Sequence, residues 1–313
     1  MNLLRSRSAV LLLLIVLLFA FAAWQEPKFL TTRSQLLLAS HLWELAVVSV
    51  PMLLIIMIGG IDLSIGAIVA LASVVLGLSY ERWGSAPAGA LLAILTGLGL
   101  GFANGWFVAK IKVHPLIVTL ATMAAFRGIA EGISLARPIS GYPAGFLTLS
   151  SGRLLGVPYP ALVFIVMAAG SWFILRWTHL GRWIVAIGTE ETVARFSKIP
   201  VDRVKLLLYS FSGLACGLAA TLLVARNNTA KADLGMGLEL EAITAVVLGG
   251  ASIEGGKGSV SGVVLALLLI HELREFVSWH WKQSELNLIV LGVLLIAALL
   301  IERALDRSGT QSA

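Results

Sequence analysis

The sequence predicts an all-α fold, a polytopic bundle of about 8–10 transmembrane helices, some of them broken or re-entrant. Two observations carry this prediction. Hydrophobic residues make up 58% of the chain and charged residues only 13%, with a mean hydropathy of +0.93. A water-soluble domain of this size could not bury so much apolar surface in one core. The second observation is that the basic residues fall in short loops between apolar segments, as orientation across a membrane requires.

Apolar segments follow one another along the whole chain, and most approach the roughly 20 residues that a membrane-spanning helix needs. The segment 240–251 is shorter, so we expect a half-helix or a re-entrant segment there. The segments lie near residues 9–24, 41–59, 63–79, 86–108, 115–135, 159–177, 204–225, 240–251, 260–277 and 286–302.

The distribution of positive charge predicts cytoplasmic N- and C-termini. With alternating spans, the basic loops then all face the cytoplasm, in agreement with the positive-inside rule. Ala20-Phe21-Ala22 resembles a signal-peptide cleavage site, but an uncleaved first span is the favoured interpretation because the other segments also span. The basic positions are Lys110, Lys112, the interval 179–205, Lys257, Arg303 and Arg307. We expect no nucleic-acid binding.

Two glycine pairs interrupt apolar segments, and each is followed by a carboxylate and a new helix: Gly59-Gly60 with Asp62, and Gly249-Gly250 with Glu254. Glycine pairs break helices, and Asp62 is placed to cap the helix after it. Broken helices inside a membrane often line a transport path. For Gly59-Gly60, the spacing leaves open both a helix break that lines a cavity and a cytoplasmic turn between two spans. For Gly249-Gly250, the spacing favours the cytoplasmic turn.

Glycines four residues apart predict close helix contacts. We expect them to serve packing inside one subunit, although the spacing also allows contacts between subunits. The sets are Gly97, Gly101 and Gly105; Gly128 and Gly132; Gly213 and Gly217; and Gly258 and Gly262.

Polar side chains inside apolar spans are costly and therefore mark candidate sites. Arg127 and Glu131 stand four residues apart and can pair on one helix face, which makes a local ion pair as good an interpretation as a substrate contact. Asn104, Thr119 and Thr122 can bind a sugar hydroxyl or bond neighbouring helices. The predicted substrate path consists of Asp62, Ser64, Asn104, Thr119, Thr122 and Arg127.

No catalytic or metal-binding pattern stands out. A phosphate loop around Gly256-Lys257 would need a glycine at position 251 and a serine or threonine at position 258, where this chain has Ala251 and Gly258. The chain does not resemble an ATPase, and any ATP chemistry must come from a partner. The histidines have no metal-ligand spacing, and the one cysteine, Cys216, lies in an apolar run. We therefore expect no catalytic residue, no metal site and no cofactor in this chain.

Five motifs stand in order along the chain: the Gly-Gly-Ile-Asp-Leu-Ser-Ile-Gly run at 59–66, the segment 118–128, Gly-Arg-Trp at 181–183, the segment 194–205, and Ala-Val-Val-Leu-Gly-Gly-Ala-Ser at 245–252. Together they resemble the permease subunits of bacterial sugar ABC importers of the ribose type. The resemblance covers nearly the whole chain. It implies a bacterial inner-membrane subunit that works with a second permease copy or paralogue, a periplasmic sugar-binding protein, membrane lipid, and an ABC ATPase that uses ATP and Mg.

We expect residues 1–313 to form one permease domain. Within it, the resemblance implies that the polar interval 179–205 contains a cytoplasmic coupling helix that docks on the ATPase. Its helix-like core, Glu190–Lys198, ends before Pro200. Lys198 departs from the family, in which a glycine usually precedes Ile-Pro. The predicted coupling residues are Gly188, Glu190, Glu191, Ala194, Arg195, Phe196, Lys198 and Pro200, and the predicted helix-break glycines are Gly59, Gly60, Gly249 and Gly250.

The segment 137–146 resembles the outer loop of rhamnose-type permeases, so we expect a rhamnose-like or related monosaccharide to be moved by alternating access. Two alternatives stay open at this point. One is an ABC permease for branched-chain amino acids or nucleosides. The other is a secondary transporter that needs no ATPase.

Overall fold

Helices that run back and forth between two ends of one bundle dominate the structure, a computed structural model that describes residues 7–281, 286, 289–290, 292–294 and 296. The predicted span 286–302 lies largely outside the described residues, and so do Arg303 and Arg307. The helices are α1 Arg7–Gln25, α2 Thr32–Leu38, α3 Trp43–Met57, α4 Ile65–Trp83, α5 Ala86–Trp106, α6 Pro115–Ser134, α7 Ala144–Ser151, α8 Tyr159–Trp177, α9 His179–Thr189, α10 Glu191–Phe196, α11 Val201–Asn227, α12 Leu238–Leu248 and α13 Val260–Trp281.

Short segments complete the description. A 3₁₀ turn, Ala39–His41, precedes α3, and a π-helical turn, Phe107–Ile111, extends α5. Strand β1 (Ile139–Ser140) pairs antiparallel with β4 (Thr229–Ala230), and β2 (Arg153–Leu154) with β3 (Val157–Pro158). With so little strand among the described residues, the predicted all-α bundle is confirmed.

One end of the bundle, here named the α10 end, carries α9, α10 and the turns after α3 and α12. The main-chain N–H of Gly256 donates to Met57 O at this end, over 2.9 Å. The pairing of β1 with β4 marks the opposite end. Helix α1 runs parallel to α13, because Leu11 packs with Ala266 and, nearer the opposite end, Phe21 contacts Phe276.

Six helical segments in the described chain are long and apolar enough to cross a membrane: Ser8–Gln25, Ile65–Trp83, Ala86–Ile111, Pro115–Ser134, Tyr159–Trp177 and Val201–Asn227. Helix α3 is shorter at 15 residues, and α12 has 11. At 1.5 Å per residue, α12 is only about 16 Å long, half the hydrocarbon thickness of a membrane. It is the half-helix that the short apolar segment predicts.

The glycine faces of α5 and α11 pack directly against each other. A Cβ added to Gly97 would lie 2.2 Å from Gly213 O, so only glycine allows this approach. The predicted packing inside one subunit is therefore confirmed for this pair of helices. Gly128 and Gly132 on α6 differ, because a Cβ at either position would meet no described atom within 4 Å.

The chain from β4 to α12, residues 229–237, follows α4 into the bundle as a short strand and a series of turns, and is named here the re-entrant segment. Ala230 packs at Gly77, Lys231 O accepts a hydrogen bond from Ser73 over 3.0 Å, and Gly235 O lies next to Gly66. From Gly77 to Gly66, α4 advances about 16 Å. Helix α12 thus begins deep in the bundle and runs out toward the α10 end.

Candidate functional site

The first glycine pair ends α3 in a Schellman motif, in which two N–H groups bond back to the last helical turn. Gly60 N donates to Ile55 O and Gly59 N to Ile56 O, each over 2.9 Å. Gly59 has a φ of +75°, the left-handed region that glycine adopts without strain. At Gly60 the need is space, since an added Cβ would lie 2.8 Å from Tyr209 Oη.

After this break the chain turns inward to a fully buried carboxylate. Asp62 Oδ1 accepts hydrogen bonds from Ser64 N over 3.0 Å and Ser64 Oγ over 2.6 Å. Its Oδ2 accepts from Ser212 Oγ on α11 over 3.1 Å. Asn104 Nδ2 on α5 donates to Ser64 Oγ over 2.7 Å, and Thr119 Oγ1 on α6 donates to Ile61 O over 3.0 Å. These bonds define the Asp62 network, which ties the break to three helices.

The Asp62 network lies inside the bundle and not at its surface. Ser212 follows the start of α11 by 11 residues, which places it about 16 Å along that helix. Asp62, Ser64, Asn104 and Thr119 are all 0% exposed. The first pair is therefore a helix break within the bundle, and in this conformation its polar side chains are closed off from solvent.

Two residues of the predicted path lie outside the network. Thr122 bonds its own helix, donating to Val118 O over 3.0 Å. Arg127 does not form the expected pair with Glu131. Its guanidinium donates instead to Ala232 O over 2.5 Å and to Leu234 O over 3.3 Å, on the re-entrant segment. Irregular backbone inside a membrane needs such partners, so Arg127 stabilises this segment.

The second glycine pair ends α12 with the same motif but leads to the surface. Gly250 N donates to Val247 O over 2.9 Å and Ala251 N to Val246 O over 3.1 Å, with a φ of +96° at Gly250. Gly249 packs tightly, since an added Cβ would lie 2.7 Å from Val263 N. Glu254 is exposed at the α10 end. The structure has the surface turn that the spacing favours.

The polar interval 179–205 folds into two helices, α9 and α10, followed by the start of α11. Gly188, near the end of α9, is wedged into the bundle. A Cβ there would lie 1.8 Å from Met57 O and 2.4 Å from Gly256 N. Gly188 therefore joins α9 to the turns after α3 and α12, and this close packing explains why the position holds a glycine.

Charged side chains fasten α10 to the first turns of α11. Lys205 pairs with Glu191, Glu191 with Arg195 over 2.8 Å, and Arg195 with Asp202 over 2.7 Å. Burial raises the pKa of Glu191, but the hydrogen bonds from Lys205 and Arg195 outweigh it and hold that pKa below its ordinary value. Glu190 precedes the helix and caps it, accepting from Thr192 N over 3.2 Å.

The faces of α10 differ in exposure. Phe196 is 83% exposed and Val193 59%, so two apolar side chains project into solvent. Ala194, predicted as a docking residue, is only 2% exposed and packs inward. Ala194 is part of the hydrophobic core, so its side chain is not available to a partner on the outside.

Helix α10 ends in a third Schellman motif. Ile199 N donates to Ala194 O over 3.1 Å and Lys198 N to Arg195 O over 3.0 Å, and Pro200 follows. Lys198 stands at the position that glycine fills in the other two motifs, and its φ is +60°. The departure noted in the sequence is thus a lysine held in the left-handed region.

A cavity of about 230 Å³ separates the first break from α10, with walls that include Gly60, His114, Lys205 and Tyr209. Tyr209 is 0% exposed and its hydroxyl has no hydrogen-bond partner within the described residues. Sequence reasoning missed Tyr209 and Ser212. The signal was present, because Lys205, Tyr209 and Ser212 follow the spacing of one helix face.

Comparison with known proteins identifies the protein family of this chain. The model described as branched-chain amino acid transport system / permease component matches residues 35–299. This chain belongs to that permease family. Autoinducer 2 import system permease protein LsrD of Escherichia coli (strain K12) is 35% identical over 294 residues, covering 92% of this chain and 89% of that protein. The protein of the same name from Photorhabdus laumondii subsp. laumondii is 36% identical over 296 residues, covering 93% and 88%. No solved structure matches the chain.

The family settles the class that the resemblance indicated. The chain is a membrane-embedded permease component of an ABC importer and not itself an enzyme, since ATP hydrolysis belongs to a partner subunit. It is a multi-pass protein of the inner membrane, and its class works with ATPase and binding-protein partners. No cluster of three or more His, Cys, Asp or Glu suited to a metal ion occurs among the residues that the structure describes.

Proposed function

We propose that this chain carries a small neutral hydroxylated molecule, autoinducer 2 in the first place, into the cell by alternating access. The names of the relatives support this cargo. A rhamnose-like sugar, which segment 137–146 favours, is the second candidate, and the family description makes a branched-chain amino acid the third.

In this proposal the α10 end faces the cytoplasm, with both termini on that side. The ATPase partner uses ATP and Mg, and this chain holds no cofactor. A second permease, identical or paralogous, completes the membrane part, and residues 1–313 act as one domain with 179–205 as its coupling segment.

The observation that carries the proposal is the construction of α10. Val193 and Phe196 project from it while its charged side chains are fastened to α11. A partner that grips the apolar side chains therefore displaces α11 together with α10. Because Ser212 of α11 holds Asp62, the displacement reaches the Asp62 network. Rigid-body motion of this kind opens one side of a transporter as it closes the other.

Phe196→Ala tests the docking role, with Phe173→Ala as the matched control. Phe173 is another exposed phenylalanine, 56% against 83% for Phe196, on the membrane-spanning helix α8. The purified permease, ATPase and binding protein are reconstituted in proteoliposomes, and ATP-dependent uptake of labelled autoinducer 2, L-rhamnose and L-leucine is measured.

We expect Phe196→Ala to weaken ATPase binding by roughly thirtyfold and to lower uptake with it, because truncating an anchoring aromatic residue costs about 2 kcal/mol at an interface. Phe173→Ala should change neither. Uptake that persists without the ATPase subunit would refute the proposed mechanism. Uptake of leucine alone would refute the proposed cargo class.

A further inference from the structure

A second cavity, of about 290 Å³, lies beside the start of the half-helix α12, away from the α10 end. Four helices contribute walls: Glu44 from α3, Arg226 from α11, Leu238 from α12 and His271 from α13. Discontinuous helices in transporters commonly begin at a ligand site. The re-entrant segment ends and α12 begins beside this cavity, so the cavity lies where a ligand site is expected.

The cavity walls carry charges that are already matched. Each guanidinium has a carboxylate partner, and one imidazole lies against a third carboxylate. The pairs are Arg226 with Glu44 over 3.4 Å, Arg274 with Glu241, and His41 with Glu275 over 3.0 Å. The walls hold three carboxyl groups and two guanidinium groups, so the site does not favour an anion.

Unused hydrogen-bonding atoms remain on the same residues. Glu44 is 3% exposed and His271 6%, yet Glu44 Oε2, His271 Nε2 and Arg274 Nε have no partner in the described part of the chain. Buried polar atoms without partners are unfavourable by about 1–3 kcal/mol each. This set mixes an acceptor, a donor and an imidazole nitrogen, so a group that both donates and accepts suits it best.

Size and remaining lining narrow the ligand further. The volume corresponds to roughly ten waters at about 30 Å³ each, which leaves room for a molecule as small as a monosaccharide. Leu45, Leu223 and Leu238 supply apolar wall against which a carbon skeleton can pack. An amino-acid zwitterion fits less well, because its carboxylate would have to displace Glu44 or Glu241 from an arginine.

We propose that this cavity binds one small, neutral, hydroxyl-bearing molecule, and that it receives the cargo before the Asp62 network opens. The inference rests on the proposed import function and names the place inside this chain where the cargo is held. Hydroxyl groups meet the unused polar atoms of the walls, and the leucines contact the carbon skeleton.

Occluding the cavity from α12 tests the site. Leu238→Phe and Leu238→Trp add increasing bulk at its wall without touching a charged pair. Leu240→Trp is the matched control, since Leu240 lies on the same helix, is 47% exposed and does not line the cavity. Equilibrium binding of labelled autoinducer 2, L-rhamnose and L-leucine is measured on the purified permease–ATPase complex without binding protein, and size-exclusion chromatography checks assembly.

We expect saturable binding of a hydroxylated probe to the unmodified complex, partial weakening by Leu238→Phe, and weakening of roughly tenfold or more by Leu238→Trp. Leu240→Trp should bind normally. If Leu238→Trp does not assemble, the Phe variant decides. No saturable binding, equal binding by the Leu238 variants, or saturation by leucine alone overturns the proposal.

Uptake in proteoliposomes separates this proposal from the proposed function. If a hydroxylated probe is taken up with ATP, but the Leu238 variants bind it as well as the unmodified complex does, the proposed site alone is overturned. Absence of ATP-driven uptake of both hydroxylated probes would overturn the proposed function itself.

Discussion

The two glycine pairs end their helices in the same way and then lead to opposite places. Gly59 and Gly250 occupy the same position of a Schellman motif, and both have a positive φ. After Gly60 the chain turns inward to Asp62, which is fully buried, whereas after Gly250 it runs to Glu254, which is exposed. The local sequence design thus sets how the helix ends, and the surrounding helices decide whether the carboxylate is buried.

The two carboxylates differ in burial because they differ in the hydrogen-bond donors that the protein offers them. Ser64 and Ser212 donate to Asp62 inside the bundle. Glu254, two residues further from its glycine pair, lies where solvent reaches it, and the turn is held by main-chain bonds such as that from Gly256 N to Met57 O. A carboxylate after a glycine pair is therefore informative only together with serines on neighbouring helices.

Removing the two carboxylates should give the largest contrast. We expect Asp62→Ala to lower the free energy of unfolding by about 3 kcal/mol or more, because several buried donors lose their acceptor. Glu254→Ala should stay within about 0.5 kcal/mol. Unfolding of the purified permease by denaturing-detergent titration measures both, and equal losses would contradict the distinction between the two breaks.

Alanine substitution at the two glycines with positive φ should lower the free energy of unfolding by similar amounts, because both helices end in the same motif. Gly59→Ala and Gly250→Ala should each cost about 1–2 kcal/mol, since both force a side chain into the left-handed region. The same titration compares them, with Gly170→Ala as control because a Cβ at Gly170 meets no described atom within 4 Å. A much larger loss at one of them would show that the two endings are not equivalent.

Lys198 allows the reverse substitution. Lys198→Gly gives the α10 motif the residue found at Gly59 and Gly250, and we expect a gain of about 1 kcal/mol as strain is relieved. Lys198→Val should destabilise, because a β-branched residue tolerates this conformation least. Protease cleavage rates within α10 report both variants, and faster cleavage of the glycine variant would argue against strain at this position.

The smallest expected effect is the pH dependence of the contact between α10 and α11. The pKa of Glu191 is lowered from its ordinary value of 4.5, so its pairing with Lys205 stabilises fully above that value. The contribution is lost as pH falls through the lowered pKa. Hydrogen exchange of α10 amides should accelerate over this acidic range, and Glu191→Gln should abolish the pH step.

How much the sequence predicts depends on the range of the interaction. The glycine breaks, the half-helix and the short helix in 179–205 follow from local patterns, and the structure has helix ends and helices at these places. Their roles in transport and coupling stay predictions. The partners of Arg127 were not predictable, because a helix spacing suggests Glu131 while the re-entrant carbonyls lie about a hundred residues away. Tyr209 and Ser212 could have been predicted as one polar helix face with Lys205, but their approach to the first break depends on how α11 packs. The burial of Ala194 depends on tertiary packing and cannot be read from the six residues of α10.

The re-entrant segment 229–237 also constrains the order in which the protein is assembled. Ser73 of α4 donates to Lys231 O, and Arg127 of α6 donates to Ala232 O and Leu234 O. Non-helical backbone is tolerated inside a membrane only where protein partners satisfy it. Helices α4 and α6 must therefore stand in the membrane before this segment folds between them, which makes the seating of α12 a late step in biogenesis.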